Sequence, residues 1–507
     1  MHSSSRTLAT HAVVIGGSIA GLCAARVLAD HYGHVTLYER DELPDQPVNR
    51  GAIPQGQHVH LLMARGADEL EALFPGLLVD MVAANVPVVE NRPSSIHFEA
   101  GGHLLGTGQT LESNFTAYVP SRGQLEWQIR RRVSELPNVQ ILRRGVSEPQ
   151  YDPDAERVTG LVLDDGEQVA ADMVVDASGR GSRLPVWLEQ WGYERPPEES
   201  IKVGVTYASQ RVRIPAELIN EKMVVVSAAH DSGLGMGMLF HEDGIWTVTA
   251  FGVAKAEPPS DFAGIKQLGG TALPPHLAKA LRAGEAVGDM NFHRYPVAKW
   301  RRYDKLDRFP DGIFPFGDAV VSLNPTYGQG VTMSTVQAAN LRQVLAEGTQ
   351  DLVRRLARRT ARTTYPVWMM NSVADQVKHG AEGDKAFWYS PLFGLFDQFL
   401  GAAETDPVLA EWFLRRTSML DSLWLTPPPR IVGRAIRHNI KAWLAERRGR
   451  HNASEASVTA RGRSAGEIPI VTRNSFVGSA AVSRMGPSSA ATHAAAPRCR
   501  VSLSSSA

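Results

Sequence analysis

The stretch HAVVIGGSIAGL, from His11 to Leu22, decides the fold. Its first five residues, His11 to Ile15, are mostly apolar and predict a buried strand, and Ala20 to Asp30 predicts a helix. A second strand is predicted from His34 to Tyr38. The chain therefore opens with a strand, a helix and a strand joined by short connections, which is typical of an α/β protein with a parallel sheet.

Small residues occupy the turn between this strand and this helix. Gly16 allows a tight turn, Gly21 lets the helix pack closely on the strand, and Ser18 stands where a second glycine is usual. Serine is still small enough for the backbone to approach a pyrophosphate at the helix N-terminus. Glu39 ends the second strand, where an acidic residue binds an adenosine ribose. The pattern predicts an NAD or FAD site without a 2′-phosphate; the alternative is a tight turn followed by a surface glutamate.

Composition limits the class of protein. The chain has 507 residues, 43% of them hydrophobic, which suits a globular protein. Lys plus Arg and Asp plus Glu both number 53, so no global charge indicates nucleic acid or an anionic membrane. The two cysteines, Cys23 and Cys499, are poorly placed for a disulfide framework. The apolar run Ala12 to Ala29 is interrupted by Arg26 and lacks a basic leader, so we expect a cytoplasmic protein.

Local patterns predict hairpins around Asp164-Asp165-Gly166 and Glu242-Asp243-Gly244, and a helix from Arg122 to Leu136.

Four regions are predicted along the chain. The segments 1–200 and 290–350 form a discontinuous nucleotide-binding domain, and 201–289 an inserted antiparallel sheet. The segment 351–450 is helical, and 451–507, rich in Ser, Ala, Gly and Arg, is a disordered tail.

A second motif lies far along the chain. Gly312 to Phe316 predicts a buried strand that ends in Gly317 and Asp318. An acid at a strand end can hold a polyol hydroxyl, and the helix that follows Asn324 to Gly330 can direct backbone amides at negative charge. The alternative is a turn in which Asp318 only caps a helix.

These stretches together resemble the flavoprotein monooxygenases of the aromatic hydroxylase superfamily, especially the polyether epoxidase branch that acts on monensin and lasalocid precursors. The similarity runs through Ala12 to Leu345, in the order HAVVIGGSIAGL, VTLYERDELP, RGAIPQGQHVHLL, VPSRGQLEWQIR, VVDASGRGSRLP and FGDAVVSLNPTYGQGVTMS. The resemblance implies a Rossmann-like FAD-binding domain with an inserted antiparallel-sheet substrate domain and C-terminal helices. It is specific for the fold and for FAD, and less so for the substrate.

The resemblance also implies roles for individual residues. Those that contact FAD would be Gly16, Ser18 and Gly21 at the pyrophosphate, Glu39 at the adenosine ribose, Arg122 at the phosphate and ribityl region, Asp318 at the ribityl chain, and Pro325, Gly328 and Gly330 at the isoalloxazine. Arg40 is a further predicted cofactor-binding residue. Apart from the resemblance, an arginine at the start of a helix is a suitable partner for the two negative charges of such a cofactor. A surface ion pair is the alternative for Arg122.

The sequence departs from the family at two places. Ser178 to Arg183 replaces the Asp-Gly motif that serves both FAD and NADPH, so NADH or NADPH could deliver electrons through a separate flavin reductase. Thr332 stands where many hydroxylases have Asn. The WxWxIP signature of halogenases is absent, which argues against halogenation.

The implied reaction is transfer of one oxygen atom from O₂ through a flavin C4a-hydroperoxide to an apolar natural-product-type substrate, as epoxidation or hydroxylation. The protein then needs no nucleophile or metal of its own, and His58 and His60 lack a metal-site partner set. An FAD-dependent reductase or dehydrogenase of the geranylgeranyl reductase type is the alternative. A binding or cyclisation module that keeps FAD only as structure is a third reading.

The substrate wall is expected on the central antiparallel sheet, although ordinary core packing is the alternative for each of its candidates: Tyr207, Met236, Met238, Phe240, Trp246 and Phe251. The segment Arg50 to Leu62 could pass near the isoalloxazine with Arg50, Gln55 or His58 facing the active site; the alternative is a loop that leads into a helix. The aromatic C-terminal helices could cap the pocket or bind a partner. The basic stretch Arg430 to Arg450 is more readily a solvated helix than a membrane-surface helix.

Overall fold

The computed structural model describes residues 9–51, 53–90, 94–105, 116–229, 231–376, 389–422 and 427–463. Its strands, in chain order, are β1 (Ala9–Ile15), β2 (Tyr32–Glu39), β3 (Val88–Val89), β4 (Ile96–Ala100), β5 (His103–Leu105), β6 (Ala117–Tyr118), β7 (Val139–Arg143), β8 (Val146–Asp152), β9 (Arg157–Leu163), β10 (Gln168–Ala170), β11 (Met173–Asp176), β12 (Glu198–Ile201), β13 (Val205–Arg213), β14 (Met223–Val226), β15 (Leu234–Phe240), β16 (Trp246–Gly252), β17 (Glu285–Tyr295), β18 (Ala298–Arg301), β19 (Ile313–Pro315) and β20 (Val321–Ser322).

The helices, in the same order, are α1 (Ile19–Ala29), α2 (Ala64–Leu73), α3 (Leu77–Ala83), α4 (Arg122–Ser134), α5 (Leu184–Gln190), α6 (Phe262–Ala272), α7 (Pro275–Ala283), α8 (Gly330–Ala346), α9 (Leu352–Gln376), α10 (Tyr389–Ala403), α11 (Pro407–Thr417) and α12 (Pro429–Arg463).

A five-stranded parallel sheet forms the first layer of the fold. Its order is β19-β11-β1-β2-β7, and every neighbouring pair is parallel. Ala12, Val13 and Val14 are fully buried, so β1 is covered on both faces, as a central parallel strand requires. Helix α1 packs beside β1 and buries Cys23 as a free thiol; Cys499 lies outside the described residues. The predicted strand-helix-strand opening is confirmed.

The second layer is a seven-stranded sheet of order β17-β13-β16-β15-β14-β4-β5. Its pairs are antiparallel except for β14 and β4. The predicted hairpin at Glu242-Asp243-Gly244 joins β15 to β16, and Gly244 has the positive φ of +76° that the turn needs. Because β4 and β5 come from the N-terminal third and β17 runs to Tyr295, the sheet extends beyond the predicted segment 201–289.

The C-terminal helices follow α8. Residues from α10 and α11 form one hydrophobic cluster with residues of β4 and β5, so this region packs on the edge of the second sheet. His103 of β5 reinforces this edge, since its Nδ1 lies 2.7 Å from Glu404 Oε1 and its Nε2 3.3 Å from Asp397 Oδ1. The predicted architecture of a Rossmann-like sheet, an added antiparallel sheet and C-terminal helices is confirmed.

The chain divides into two units, Met1–Ala442 and Trp443–Ala507. In the second unit the structure describes helix up to Arg463, within the segment predicted to be disordered; residues 464–507 lie outside the described residues. Within the described part of the chain, no helix has the length and apolar character needed to cross a membrane.

Candidate functional site

The turn between β1 and α1 has the tight geometry that its small residues predict. Gly16 has a φ of +105°, and a Cβ there would lie 2.5 Å from the Ala177 carbonyl oxygen. A Cβ on Gly21 would lie 1.8 Å from the Gly16 carbonyl oxygen, which forbids any larger residue at this close approach. Ser18 precedes the helix in extended conformation and its side chain makes no capping bond. The first-turn amides of α1 therefore remain available to an anion.

Glu39 lies next to the turn between β1 and α1. It ends β2, and its Oε2 accepts a hydrogen bond of 2.8 Å from the Gly17 amide. Arg50 Nη1 lies 3.2 Å from the same oxygen and its Nε lies 2.6 Å from Glu126 Oε1, so Arg50 is enclosed between two carboxylates. The neighbouring Arg40 differs, because 80% of its side chain is exposed at the rim.

Arg122 connects three parts of the site. Its Nη2 donates to Ser18 Oγ at 2.8 Å and lies 3.3 Å from Glu126 Oε2, while its Nη1 donates to His60 Nε2 at 3.2 Å. Burial first, and then the Arg122 charge and His241, lower the pKa of His60 to about 3, so His60 is a neutral acceptor. A buried cation is thus positioned beside the turn between β1 and α1.

Asp318 is the acidic residue of the second motif and follows the end of β19, as Glu39 ends β2 in the first motif. Gly317 precedes it with a φ of +65°, and the Gly317 amide donates to Gln337 Oε1 at 2.8 Å. Burial raises the pKa of the Asp318 carboxyl, and Arg122, the Ser322 hydroxyl and Arg180 oppose that rise. Ser322 Oγ is 3.4 Å from Asp318 Oδ2, which is a weak bond, so the carboxylate retains capacity for a ligand hydroxyl.

The loop after Asp318 approaches the N-terminus of α8. Pro325 begins a single 3₁₀ turn, Gly328 ends it with a φ of +66°, and α8 begins at Gly330. A Cβ on Gly330 would meet nothing within 4 Å, so the helix end opens into free space. Thr332, in contrast, is fully buried, and its hydroxyl lies against Gly66 of α2.

Sequence reasoning missed the support that α9 gives to this loop. Asp375 is fully buried, and its Oδ1 accepts from Asn324 Nδ2 at 3.0 Å and from the Tyr327 hydroxyl at 2.6 Å. One turn earlier, Asn371 Nδ2 donates to Gln329 Oε1 at 2.9 Å. The signal that could have revealed this pair is two polar residues four apart, on one face of an otherwise apolar helical run.

A single cavity of about 1930 Å³ joins these parts. Among the residues that line it are Gly16, Ser18, Glu39, Arg40, Arg50, Arg122, Asp318, Pro325, Gly328 and Gly330. Gly21 lies behind the turn, where it sets the distance between α1 and β1. Ligand sites usually enclose about 300–1000 Å³. The cavity therefore has room for a dinucleotide and for a second molecule of considerable size.

The substrate-wall candidates fall into two groups. Tyr207, Met236 and Phe251 line the cavity. Met238, Phe240 and Trp246 do not: together with Met236, which belongs to both groups, they pack in or against a cluster that includes residues of α6 and α7 on the other side of the sheet. The prediction did not anticipate this because strand alternation identifies two faces without telling which one meets the cavity.

Two further segments border the cavity. In the Arg50 to Leu62 segment, His58 lines it with Nδ1 at 2.6 Å from Ser209 Oγ, while the side chain of Gln55 lies outside the described part of the structure. In the stretch that replaces the Asp-Gly motif, the Arg180 guanidinium lies 4.4 Å from the centre of the Tyr295 ring. Among the described residues, no group of three or more His, Cys, Asp or Glu could hold a metal ion.

The part of the cavity wall that β4, α10 and α11 supply is largely apolar, with Glu99 and Asp397 as its charged members. Side chains from β4, α10 and α11 form what we call the distal chamber: Phe98, Phe393, Phe396, Leu400, Phe413 and Leu414. The Phe396 and Phe413 rings pack with centroids 5.5 Å apart. The C-terminal helices therefore supply part of the cavity wall.

Comparison with known proteins assigns the chain to a family. It is 57% identical to Protein Rv3254 of Mycobacterium tuberculosis over 454 residues, covering 87% of this chain and 96% of that protein. The chain belongs to the Rv3254 family. The model of the Mycobacterium Rv3254 C-terminal domain matches residues 383–449, which include α10, α11 and the start of α12.

More distant similarities concern the rest of the Rv3254-family chain. The Tryptophan halogenase family model matches residues 109–190. Kynurenine 3-monooxygenase of Salinispora arenicola is 26% identical over 63% of this chain and 68% of that protein.

Solved structures show the same fold. The flavin-dependent brominase Bmp2 has a TM-score of 0.58 at 16% identity, covering 85% of this chain and 100% of that one. The p-nitrophenol 4-monooxygenase PnpA of Pseudomonas putida also has a TM-score of 0.58 at 16% identity, covering 82% and 99%. The Rv3254-family chain has the fold of flavin-dependent monooxygenases and halogenases; the more specific similarity to polyether epoxidases is not among these findings.

Proposed function

We propose that this protein is an FAD-dependent monooxygenase that transfers one oxygen atom from O₂ to an apolar substrate, by epoxidation or hydroxylation. The observation that carries the proposal is the single cavity that joins the dinucleotide-binding turn to the apolar distal chamber. When bound, FAD would supply the redox chemistry, and the protein would supply position, charge and exclusion of water.

The residues at the first end fit the ADP half of FAD. The turn at Gly16 has no space for a Cβ, Ser18 and the first-turn amides of α1 are available to a pyrophosphate, and Arg122 offers a buried guanidinium next to them. Glu39 is held at the end of β2 with carboxylate oxygens suited to ribose hydroxyls. Arg40, at the rim, is the exposed cation on the adenosine side.

The residues at the second end fit the flavin half. Asp318 would accept from a ribityl hydroxyl, and the open N-terminus of α8 at Gly330 would stabilise negative charge on the pyrimidine edge of the ring. Pro325 and Gly328 belong to the loop that Asp375 and Asn324 fasten, so this part of the wall is fixed before the ligand arrives.

The distal chamber supports an apolar substrate of substantial size. Its aromatic and aliphatic side chains favour apolar contact with a ligand, and the charged residues next to them on the cavity wall, Glu99 and Asp397, are both acidic. This chamber includes residues of the family-specific C-terminal region, so substrate selection would differ from that of other proteins with the same fold.

Electron supply is the finer part of the proposal. NADH or NADPH would be the source, and a separate flavin reductase would deliver the electrons, since Ser178 to Arg183 lacks the Asp of the Asp-Gly motif. Where the Asp-Gly motif would place an acidic residue, this stretch carries the cation of Arg180, which stacks on the Tyr295 ring at the cavity wall.

Absorbance spectroscopy tests the proposal. Purified protein should bind added FAD and show flavin bands that bleach slowly with anaerobic NADPH and quickly when a flavin reductase is added. Incubation with a lipid extract under ¹⁸O₂ should then give a product that carries one ¹⁸O atom. A reductase would instead give an oxygen-independent product, and a protein that fails to bind FAD in excess would refute the proposal.

A further inference from the structure

His58 is held by a directed chain of hydrogen bonds. Its Nδ1 lies 2.6 Å from Ser209 Oγ, and Ser209 Oγ lies 2.5 Å from Thr249 Oγ1. Ser209 and Thr249 are directly paired residues of β13 and β16, and both are essentially fully buried. The Val59 amide donates to Thr249 Oγ1 at 3.1 Å, so the residue next to His58 closes the chain.

The chain has one direction that satisfies all its members. The Val59 amide can only donate, so Thr249 Oγ1 accepts at least once, and its hydroxyl hydrogen needs an acceptor of its own. Among the described residues, the Thr249 hydroxyl has only Ser209 as a further partner. Thr249 therefore donates to Ser209, and Ser209 donates to His58 Nδ1. The opposite direction would leave a buried hydroxyl hydrogen without an acceptor, which native proteins avoid.

This direction fixes the tautomer of the imidazole. Since Nδ1 accepts, the neutral ring carries its hydrogen on Nε2. Nε2 has no hydrogen-bond partner within the described part of the chain, and it is not among the fully enclosed polar atoms. His58 lines the cavity, so its Nε2–H is available to a ligand there.

The surroundings of His58 favour the neutral ring. Its nearest rings are Tyr207, with a centroid distance of 5.4 Å, and His293, at 5.8 Å. Burial lowers the pKa of both histidines, and it raises the pKa of the Tyr207 phenol, so all three groups are neutral near pH 7. A neutral donor in such a wall suits an acceptor oxygen and disfavours an ammonium group.

We propose that His58 presents Nε2–H as a hydrogen-bond donor to a carbonyl or phenolate-type oxygen of a bound ligand, and that Ser209 is the positioning residue that fixes this tautomer. The oxygen belongs either to the substrate or to a carbonyl of the flavin. The identity of this ligand depends on the proposed function, whereas the tautomer itself does not.

Nuclear magnetic resonance of ¹⁵N-histidine-labelled protein without ligand tests the tautomer. At pH 7, His58, assigned through His58→Gln, should show a protonated Nε2 and an unprotonated Nδ1. His241 is an internal control with the opposite tautomer, because its Nδ1 lies 3.2 Å from the Val119 carbonyl, which can only accept. Ser209→Ala should give a mixture at His58, and Thr247→Val on β16 should not. A protonated Nδ1 at His58 in the unsubstituted protein would overturn the proposal.

The rate at which the His58 Nε2 hydrogen exchanges with water distinguishes an acceptor oxygen on the flavin from one on the substrate. If FAD alone slows this exchange, the acceptor is a flavin carbonyl. If only 4-nitrophenolate added to FAD-loaded protein slows it, the acceptor is on the substrate side. If neither ligand slows it, the ligand assignment is refuted. Failure to bind FAD would contradict the proposed function and leave the tautomer result standing.

Discussion

Single residues set the distances on which the site depends. A Cβ on Gly21 would lie 1.8 Å from the Gly16 carbonyl oxygen, and that oxygen belongs to backbone that cannot move without displacing β1 from α1. The cost of crowding at Gly21 therefore falls on the turn between β1 and α1.

Gly21→Ala should lower the free energy of unfolding by about 1–3 kcal/mol. It should also weaken FAD binding, because α1 must move away from the turn. Urea unfolding and flavin fluorescence titration measure the two effects. The matched control is Gly270→Ala on α6, where the nearest atom to a new Cβ is 3.9 Å away. An unchanged FAD affinity in Gly21→Ala would show that the close approach is not needed for binding.

His58, which lines the cavity, is expected to make the stability of the protein depend on pH. Burial, followed by His293, lowers its pKa from the ordinary 6.5 to about 4. The unfolded chain then binds more protons between these two values, so stability falls as the pH drops from about 6.5 towards 4. We expect a loss on the order of 2–3 kcal/mol from this group.

His58→Gln should reduce that acid-side loss, measured as the difference between free energies of unfolding at pH 7 and pH 4.5. His34→Gln, at an exposed position on β2, is the control and should leave the difference as it is. An equal loss in His58→Gln and in the unsubstituted protein would show that His58 is not the titrating group.

Helices determine how charge is arranged around the site. Helix α4 begins at Arg122, directly beside Ser18, because Ser121 caps it by accepting a hydrogen bond from the Gln124 amide. Buried Glu126, one turn later, lies 3.3 Å from Arg122 and keeps the guanidinium in place. At the other end of the cavity, α9 fastens the loop before α8 through Asp375.

Arg122→Met should weaken FAD binding about 10- to 100-fold, since hydrogen bonds to charged groups contribute about 1.5–3 kcal/mol. The matched control is Arg131→Met on the same helix, whose side chain is 42% exposed and pairs with Asp80. Isothermal titration calorimetry gives both affinities. Equal FAD affinities for the two variants would exclude Arg122 from the phosphate site.

At the scale of the whole molecule, one cavity runs past the edge of one sheet and along the face of the other. A ligand that spans the turn at Ser18 and the carboxylate at Asp318 joins the two motifs, so binding should stabilise the fold as a whole. At a hundredfold excess over Kd, the gain is about 2.7 kcal/mol.

FAD should therefore raise the Tm by several degrees, whereas riboflavin, which lacks the ADP half, should raise it far less at the same concentration. Differential scanning fluorimetry with both ligands checks this expectation. Equal shifts from FAD and riboflavin would mean that the β1–α1 turn does not hold the ADP half.

The sequence by itself determined the local features. Glycine spacing, the apolar strand before it and the acid after the second strand all act within about thirty residues, where backbone sterics and strand periodicity dominate. They predicted the opening of the parallel sheet, the two hairpins and the helix at Arg122, together with residues that the structure brings to one cavity, from Gly16 and Glu39 to Asp318 and Gly330.

Only the tertiary structure decided which face of each element meets the cavity. Tyr207 and Phe251 line the cavity, whereas Met238 and Phe240, which were predicted together with them, pack in or against the cluster on the opposite side of the sheet. Asp375 reaches Asn324 across 51 residues, and the distal chamber unites β4 with α10 and α11. Such contacts depend on how the layers pack, and periodicity along one element carries no information about its partner.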